Sequence, residues 1–139
     1  MMKPRPAKMA QQVADAVMAF QLRTTGHSPK AVTVVLSQDT LVITLHDALS
    51  PAERETAKKS AADAAKVEEF HRQLFATSSQ SLRDDIKRIT GVEVREAVAE
   101  IEPATGAVVQ AFTSSAMVQV FRLSQNVPRD SWTSPEEQE

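Results

Sequence analysis

The residues best placed by type and spacing to do chemistry are His46, Asp47 and Ser50. An imidazole, a carboxylate and a hydroxyl form a hydrolytic triad, in which the histidine takes a proton from the attacking oxygen. Residues this close in sequence rarely converge as triad members do, and Ser50 already has a structural task at the start of a helix. We therefore predict that the chain is not an enzyme, and we assign no catalytic residue.

The remaining histidines and carboxylates have plain structural explanations. His71, on a predicted helix, is expected at the surface, and His27 is expected to face solvent in a loop. No two histidines have the four-residue spacing of a helical zinc site, and no acidic loop matches a calcium motif. Carboxylates at positions 93, 96, 100 and 102 could hold a hard cation, but a charged strand edge that resists aggregation is the more common explanation. We predict no metal and no cofactor.

Composition narrows the possible functions. The 139 residues include no cysteine, which excludes disulfides, cysteine-ligated metals and thiol catalysis. Three glycines cannot form a glycine-rich phosphate loop, and a net charge of −2 with 4 % aromatic residues argues against a dedicated nucleic-acid binder. We find no membrane-spanning segment and no secretory signal, and we expect a soluble, cytoplasmic protein. One domain is predicted over residues 7–124, with a flexible N-terminus at 1–6 and a disordered polar tail at 125–139.

Hydrophobic spacing predicts a helix and then a β-hairpin in the first part of the chain. Apolar residues recur every three to four positions from Ala7 to Arg23, which gives a helix one apolar face. Two runs of alternating β-branched residues then flank Gln38-Asp39. Such runs, separated by about two residues, predict two antiparallel strands joined by a tight turn.

A long helical span follows the hairpin. The Ser-Pro-Ala-Glu motif at Ser50 is a capping box, and helical spacing continues from there to Thr90. One straight helix of that length would be about 60 Å long at 1.5 Å per residue, and it would protrude from a compact chain. We predict a bend or break at Thr77–Gln80, with Ser81 and Asp84 as a second capping box. The alternative is an unbroken helix whose free part packs on another subunit.

Small residues line the first half of this span at helical spacing. A smooth stripe allows another backbone to approach closely, which makes it a candidate dimer surface. High helix propensity in a partly exposed segment explains the same residues, and both interpretations stay open. The residues of this candidate stripe are Ala57, Ala61, Ala64 and Ala65.

The last third of the chain is predicted to be a three-stranded antiparallel meander. Alternation from Val92 to Ile101 changes phase near residues 95–96, which predicts a β-bulge. A repeated Val-Gln-x-Phe unit on either side of Ser114-Ser115 predicts a hairpin in which Gln110 faces Gln119. The whole chain is then an α+β fold in the order α-β-β-α-β-β-β.

One face of the predicted hairpin combines apolar side chains with the two glutamines. An apolar patch with a few fixed polar groups is typical of a ligand or partner surface, and we expect the opposite face, with Val118 and Val120, to lie on the core. The alternative is that helices cover both faces and the glutamines bond each other across the strands. The candidate surface consists of Val108, Gln110, Phe112, Met117, Gln119 and Phe121.

Several segments, in order, resemble one bacterial family. They include Leu-Ser-Pro-Ala-Glu-Arg from Leu49, Thr-Gly-Val-Glu-Val from Thr90 and Val-Gln-Val-Phe from Val118. From about Ala10 to Leu123 the chain resembles the MpsC-like domain, named after a component of a sodium-translocating, membrane-potential-generating system. The resemblance implies association, in some lineages, with membrane subunits for sodium-linked bicarbonate uptake, and it implies no catalytic residue.

Residues and resemblance together predict a non-enzymatic accessory or regulatory module that acts as a homodimer and docks on a protein partner. A membrane transport subunit is the candidate partner, whereas nucleic-acid binding and direct membrane insertion are not expected. The alternative function is a sensor of a small ligand or anion, with a pocket around Gln110 and Gln119. A hydrolase that uses His46 is a distant third.

Overall fold

Four helices and four strands make up the structure, a computed structural model that describes residues 8–101, 117–128 and 132. The predicted α+β class is confirmed, with helices packed against one face of an antiparallel sheet. In chain order the elements are α1 (Met9–Thr25), β1 (Ala31–Ser37), β2 (Thr40–His46), α2 (Pro51–Lys59), α3 (Ala61–Ser78), α4 (Gln80–Thr90), β3 (Val94–Ile101) and β4 (Met117–Leu123).

The sheet has the strand order β1-β2-β4-β3, and every neighbouring pair is antiparallel. The predicted first hairpin is confirmed, with Ser37 opposite Thr40 across a turn whose first central residue, Gln38, has a φ of 55°. A positive φ at this position is what a type II′ hairpin turn requires. The predicted bulge is also confirmed, as a shift of register between Val94 and Glu96.

The capping box at the start of α2 forms as predicted. Ser50 Oγ accepts a hydrogen bond from the Glu53 N–H at 3.2 Å, and Glu53 Oε1 accepts one from the Ser50 N–H at 3.1 Å. These two bonds satisfy backbone donors that the first turn of a helix leaves free. The helical span ends as predicted too, at Gly91, whose φ of 78° closes α4.

The helical span is divided at Ser60, a break that we did not predict. Ser60 has extended backbone angles, and its Oγ accepts a hydrogen bond from the Asp63 N–H at 3.0 Å. Ser-x-x-Asp is itself a helix-start signal, so the residue types needed to find this break were present. The break lets α2 fold back against α3, so the span becomes a helical hairpin instead of a protruding rod.

A second break, at Ser79, confirms the predicted interruption within Thr77–Gln80. The predicted capping box of Ser81 and Asp84 is wrong, because α4 already begins at Gln80 and the Asp84 carboxylate accepts a hydrogen bond from Gln80 Nε2 at 2.9 Å. Ser79 keeps helical angles (φ −71°, ψ −8°), and α4 begins after it without a side-chain cap.

The core lies between the helices and the inner face of the sheet. Aromatic rings connect three elements there: Phe75 of α3 meets Phe20 of α1 at 6.3 Å and Phe121 of β4 at 5.9 Å, both edge to face. Each large apolar side chain buried in this way stabilises the fold by about 1.5–3 kcal/mol. Fully buried around them are Val13, Val17, Leu41, Ile43, Leu45, Ala48, Leu49, Leu82, Ile86 and Leu123.

The predicted pairing in the last third is wrong. β4 lies between β2 and β3, so Gln119 is opposite Ile43 on one side and Ala99 on the other. Both neighbours of Gln119 are therefore taken, and Gln110 cannot be its partner in the sheet. Two strands of the predicted meander are seen, and the third falls within residues 102–116, outside the described residues. The alternation of apolar and polar side chains in β4 fits pairing with a strand distant in sequence as well as with a neighbouring one. The sequence therefore does not distinguish between the two pairings.

The two faces of β4 are the reverse of the predicted ones. Gln119 and Phe121 are fully buried on the inner face, whereas Val120 is only half-buried on the outer face. The inner face takes the larger side chains because Phe75 and its neighbours cover it. Of the other candidate residues, Met117 lies in β4 opposite Leu45 and Ile101, and Val108, Gln110 and Phe112 lie outside the described residues.

Two residues after the predicted boundary at residue 124 contact the core. Val127 is 5 % exposed and belongs to the core, and Trp132 packs against the same cluster. The Trp132 backbone N–H donates to the Pro128 carbonyl at 3.1 Å. Val127 and Trp132 lie within the segment 125–139, for which we predict a disordered polar tail.

Candidate functional site

The triad considered for His46, Asp47 and Ser50 is not assembled. His46 Nε2 lies 3.2 Å from Thr33 Oγ1, and Asp47 Oδ1 accepts a hydrogen bond from Arg54 at 2.6 Å. Ser50 Oγ caps α2. The three side chains have three separate partners, so the arrangement offers no proton relay to a nucleophile.

His27 lies in the loop between α1 and β1 and contacts the loop that follows β2. Its Nε2 is 2.9 Å from the Asp47 carbonyl, and Asp47 has a φ of 61°, a left-handed conformation that Asp tolerates better than most residues. We predicted that His27 faces solvent, whereas its imidazole is half-buried. This contact gives His27 a structural task.

His71, predicted at the surface, is instead 2 % exposed, while its neighbour Phe70 is 55 % exposed. Its Nε2 lies 2.8 Å from Glu53 Oε2, which connects α3 to α2. The correction follows from helical phase, because Val67, His71 and Phe75 are spaced by four and share the buried face of α3. That spacing was readable in the sequence.

Glu53 uses both carboxylate oxygens. Oε1 accepts from the Ser50 N–H and Oε2 faces His71. Burial raises the pKa of this carboxyl, but the Ser50 N–H and the His71 ring outweigh burial, and the pKa lies below the ordinary value of 4.5. A carboxylate held in this way is a structural link between two helices and is poorly suited to proton transfer near neutral pH.

A small groove of about 260 Å³ runs between α2 and α3 beside this pair. The exposed ring of Phe70 forms one wall. Gln119, around which we predicted a ligand pocket, lines neither this groove nor the larger one described below. The groove is lined by Ala52, Glu53, Thr56, Lys66, Val67 and Phe70.

The four alanines of the candidate dimer stripe do not share one surface. Ala57 and Ala64 are each 6 % exposed within the chain, whereas Ala61 and Ala65 are exposed. The break at Ser60 separates Ala57 from the other three, and the packing of α2 on α3 takes up the small buried side chains. A dimer contact at Ala61 and Ala65 stays a prediction.

An apolar row crosses the outer face of the sheet, away from the helices. The strand registers place Val35 opposite Val42, Val42 opposite Val120, and Val120 opposite Val98. We call these four residues the valine row. Val35 and Val98, at its ends, are 53 % and 57 % exposed. The row is not visible in the sequence, because only the register of distant strands aligns the four side chains.

Ion pairs border the valine row. On one side, Arg122 reaches Asp39 at 3.4 Å and Glu96 at 3.6 Å. Hydrogen bonds from Thr40 and Arg122 hold the pKa of Asp39 below its ordinary value. On the other side, Glu100 forms an ion pair with Arg72 of α3, which gives a second charged cluster. An apolar centre with a charged rim is the usual anatomy of a protein–protein interface.

Two carboxylates of the predicted run, Glu96 and Glu100, make these rim contacts, whereas Glu93 forms an ion pair with Lys87 of α4 at 3.2 Å. Glu96 and Glu100 are both exposed on the outer face of β3, and position 102 lies outside the described residues. Across residues 8–101, 117–128 and 132, no three His, Cys, Asp or Glu side chains gather to hold a metal ion. Within the same residues, no helix has the length and apolar character needed to cross a membrane.

A protein-family model described as "Na+-translocating membrane potential-generating system (MpsC)" matches residues 6–115. This match covers most of the chain and includes every element from α1 to β3. The chain belongs to the MpsC family. The resemblance drawn from its sequence motifs is thereby confirmed. No curated protein and no solved structure gives a match to this MpsC-family chain.

Proposed function

We propose that this MpsC-family chain is a non-enzymatic accessory subunit that binds a membrane-embedded component of a Na+-translocating system, and that it does so as a homodimer. The valine row with its charged rim is the observation that carries the proposal. The family description assigns its members to such a system, and the row gives the chain a surface suited to binding another protein.

The engagement of the candidate chemical groups supports a role without catalysis. His46, Asp47 and Ser50 have separate structural partners, and His71 is buried against Glu53. A catalytic base or nucleophile needs a reacting atom within hydrogen-bond reach and room for a substrate. The contacts described here hold loops and helices together instead.

The energetics of the valine row favour association with a protein surface. Covering the exposed parts of Val35 and Val98 would contribute on the order of 1–2 kcal/mol each at about 25 cal/mol per Å². The rim charges of Arg122, Glu96 and Glu100 stay close to water, where they set orientation and association rate more than affinity.

The test compares two lysine substitutions at apolar residues of similar exposure. Val98→Lys puts a charge in the valine row, and Leu22→Lys puts one on α1, where the side chain is 53 % exposed. Purified protein is sedimented with native membrane vesicles, with the same vesicles after protease treatment, and with vesicles of extracted lipid alone. Thermal unfolding confirms that both variants remain folded.

We expect wild-type protein and Leu22→Lys to bind native vesicles, and Val98→Lys to bind at least about tenfold more weakly. Binding should disappear after protease treatment and be absent with lipid alone, because the partner is a protein. Equal binding of Val98→Lys, or equal binding to lipid alone, would refute docking through the valine row.

A further inference from the structure

We propose that two copies of the chain join through the free edge of β1, antiparallel about a two-fold axis at Val34, to form one continuous eight-stranded sheet. The inference rests on the homodimer proposed above and names its interface. Among the described strands, β1 is at one end of the sheet and has a neighbour only in β2.

The direction of the backbone hydrogen bonds in the sheet leaves the N–H and C=O groups of three residues of β1 directed outward. The Leu123 N–H donates to the Asp39 carbonyl at 2.8 Å, which fixes the direction between β4 and the start of β2. Along an antiparallel strand, the backbone N–H and C=O groups of successive residues point alternately to the two neighbouring strands. Odd-numbered residues of β2 therefore bond to β4, and even-numbered ones bond to β1. The register then leaves the N–H and C=O groups of Val32, Val34 and Leu36 facing the free edge.

β1 lacks two of the features by which sheet edges avoid pairing, charged residues and proline. Its seven residues, Ala-Val-Thr-Val-Val-Leu-Ser, include no charge and no proline. Free strand edges are templates for another chain, and proteins usually protect them with charges, prolines or covering segments. The opposite edge, β3, carries Arg95, Glu96 and Glu100, and Arg72 of α3 reaches Glu100 at 3.1 Å. The charges of β3 are typical of a protected edge, whereas the uncharged edge of β1 is suited to pairing with another strand.

With a two-fold axis at Val34, all seven residues of β1 are paired with residues of the second copy. Val34 pairs with its own copy through two N–H···O=C bonds, and Val32 pairs with Leu36. Thr33 then faces Val35 of the other copy in a pair without backbone bonds, where Cα atoms are about 4.5 Å apart. Although Val32, Val34 and Leu36 face inward, they are only partly buried in a single chain. The second copy would cover their exposed sides.

The charges at the ends of the strand favour the same pairing. The seven paired residues of each copy are uncharged, so no like charges meet along the seam. Beyond them, the axis places Lys30 of one copy opposite Gln38 of the other and next to Asp39. Opposite charges therefore lie near each other at both ends of the seam, which selects antiparallel over parallel pairing.

A groove of about 760 Å³ lies beside the second half of β1, from Val34 to the turn at Gln38, and part of the second strand would lie in it. One wall is β1 itself, and the other is the segment after β4. Trp132, the single tryptophan of the chain, is part of that second wall. The groove is lined by Val34, Val35, Leu36, Ser37, Gln38, Asn126, Val127, Pro128 and Trp132.

The test uses a matched pair of double variants at Thr33 and Val35, whose side chains are exposed and face each other across the proposed seam. Thr33→Lys/Val35→Lys puts like charges opposite each other, and Thr33→Glu/Val35→Lys puts opposite charges there. Mass is measured by sedimentation equilibrium, and Trp132 emission is followed on dilution. Val98→Lys, at the far edge, serves as a control that keeps the seam intact.

We expect wild type, Val98→Lys and Thr33→Glu/Val35→Lys to be dimers, and Thr33→Lys/Val35→Lys to have a dissociation constant at least about tenfold higher. Tryptophan emission should move to longer wavelength as the wild-type dimer dissociates, since the groove opens to water. A dimer that both double variants leave unchanged, or one that the Glu/Lys variant fails to preserve, would overturn the β1 seam alone. A monomeric wild type would overturn the homodimer as well, and would leave the groove to a strand from another protein.

Discussion

Glu53 has two structural roles, one in its own helix and one between helices. It closes the capping box with Ser50 and holds the buried ring of His71 on α3. The net contribution of an intramolecular hydrogen bond to the free energy of unfolding is about 0.5–1.5 kcal/mol, and a bond to a charged group contributes more. The Glu53 carboxylate therefore connects α2 to α3 and to the loop after β2.

The lowered pKa of Glu53 predicts a pH-dependent contribution to stability. The pKa is lower in the folded chain than in the unfolded one, so the contribution is present above about pH 4.5 and is lost as pH falls through the lower folded value. We expect Glu53→Gln to destabilise the protein by about 1–2 kcal/mol at pH 7 and by progressively less between pH 5 and pH 3. Urea unfolding at each pH measures the difference.

Glu55→Gln is the matched control, since Glu55 is exposed on the same helix. Its free energy of unfolding should stay within about 0.5 kcal/mol of wild type at every pH. If the destabilisation by Glu53→Gln is the same at pH 3 as at pH 7, the link between ionised Glu53 and His71 is wrong.

At the scale of elements, the helical hairpin of α2 and α3 depends on small side chains where the two helices pack. Ala57 on α2 and Ala64 on α3 are both almost fully buried, and Ser60 supplies the extended residue between the helices. Burial of alanine allows helix backbones to approach closely, so larger side chains at these positions would push the helices apart.

We predict that Ala64→Leu destabilises the fold by about 1–3 kcal/mol through overpacking, whereas Ala65→Leu, one residue along and exposed, changes stability by less than about 0.5 kcal/mol. Chemical unfolding of the two variants provides the comparison. Equal stability of the variants would contradict tight packing at Ala64. Dissociation of the dimer by Ala65→Leu would instead place the dimer contact on α3.

Local signals made the boundaries of these elements predictable to different degrees. The capping box at Ser50 and the glycine at Gly91 are short-range features with strong backbone preferences, and both ends formed as expected. Ser60 carried a weaker signal inside a run of good helix formers, and helix propensity masked it. His71 lies on the face of α3 that Val67 and Phe75 define, whereas the larger apolar side chain of Phe70 is exposed, so the most hydrophobic residue of this stretch does not mark the buried face.

At the scale of the whole molecule, sheet register decides what the protein presents to partners. The hairpin of β1 and β2 was predictable because a two-residue turn fixes its register. The position of β4 between β2 and β3 was not, since strands distant in sequence can satisfy the same alternation in several orders. The valine row exists only in the observed order, so no reading of single strands could have found it.

The two proposed surfaces are compatible with each other. Pairing at the edge of β1 extends the sheet sideways, and the valine row lies on the outer face, so one dimer would carry two rows on the same side of one sheet. A partner that contacts both rows would gain from the local concentration of the second site. Val98→Lys changes the valine row and leaves the seam intact. The double variants at Thr33 and Val35 change one residue of the row as well, so their readout is the mass of the dimer and not docking.

Site-specific photo-crosslinking in native membranes tests the central claim, docking through the valine row, most directly. The chain has no cysteine, so Glu96→Cys at the rim of the row and Leu22→Cys on α1 each give one attachment point for a photoreactive maleimide. We predict that the probe at residue 96 crosslinks to a membrane-embedded polypeptide of a Na+-translocating system. Unlabelled wild type should compete for this adduct, and unlabelled Val98→Lys should not. Equal adducts from both positions, or competition by Val98→Lys, would contradict the account.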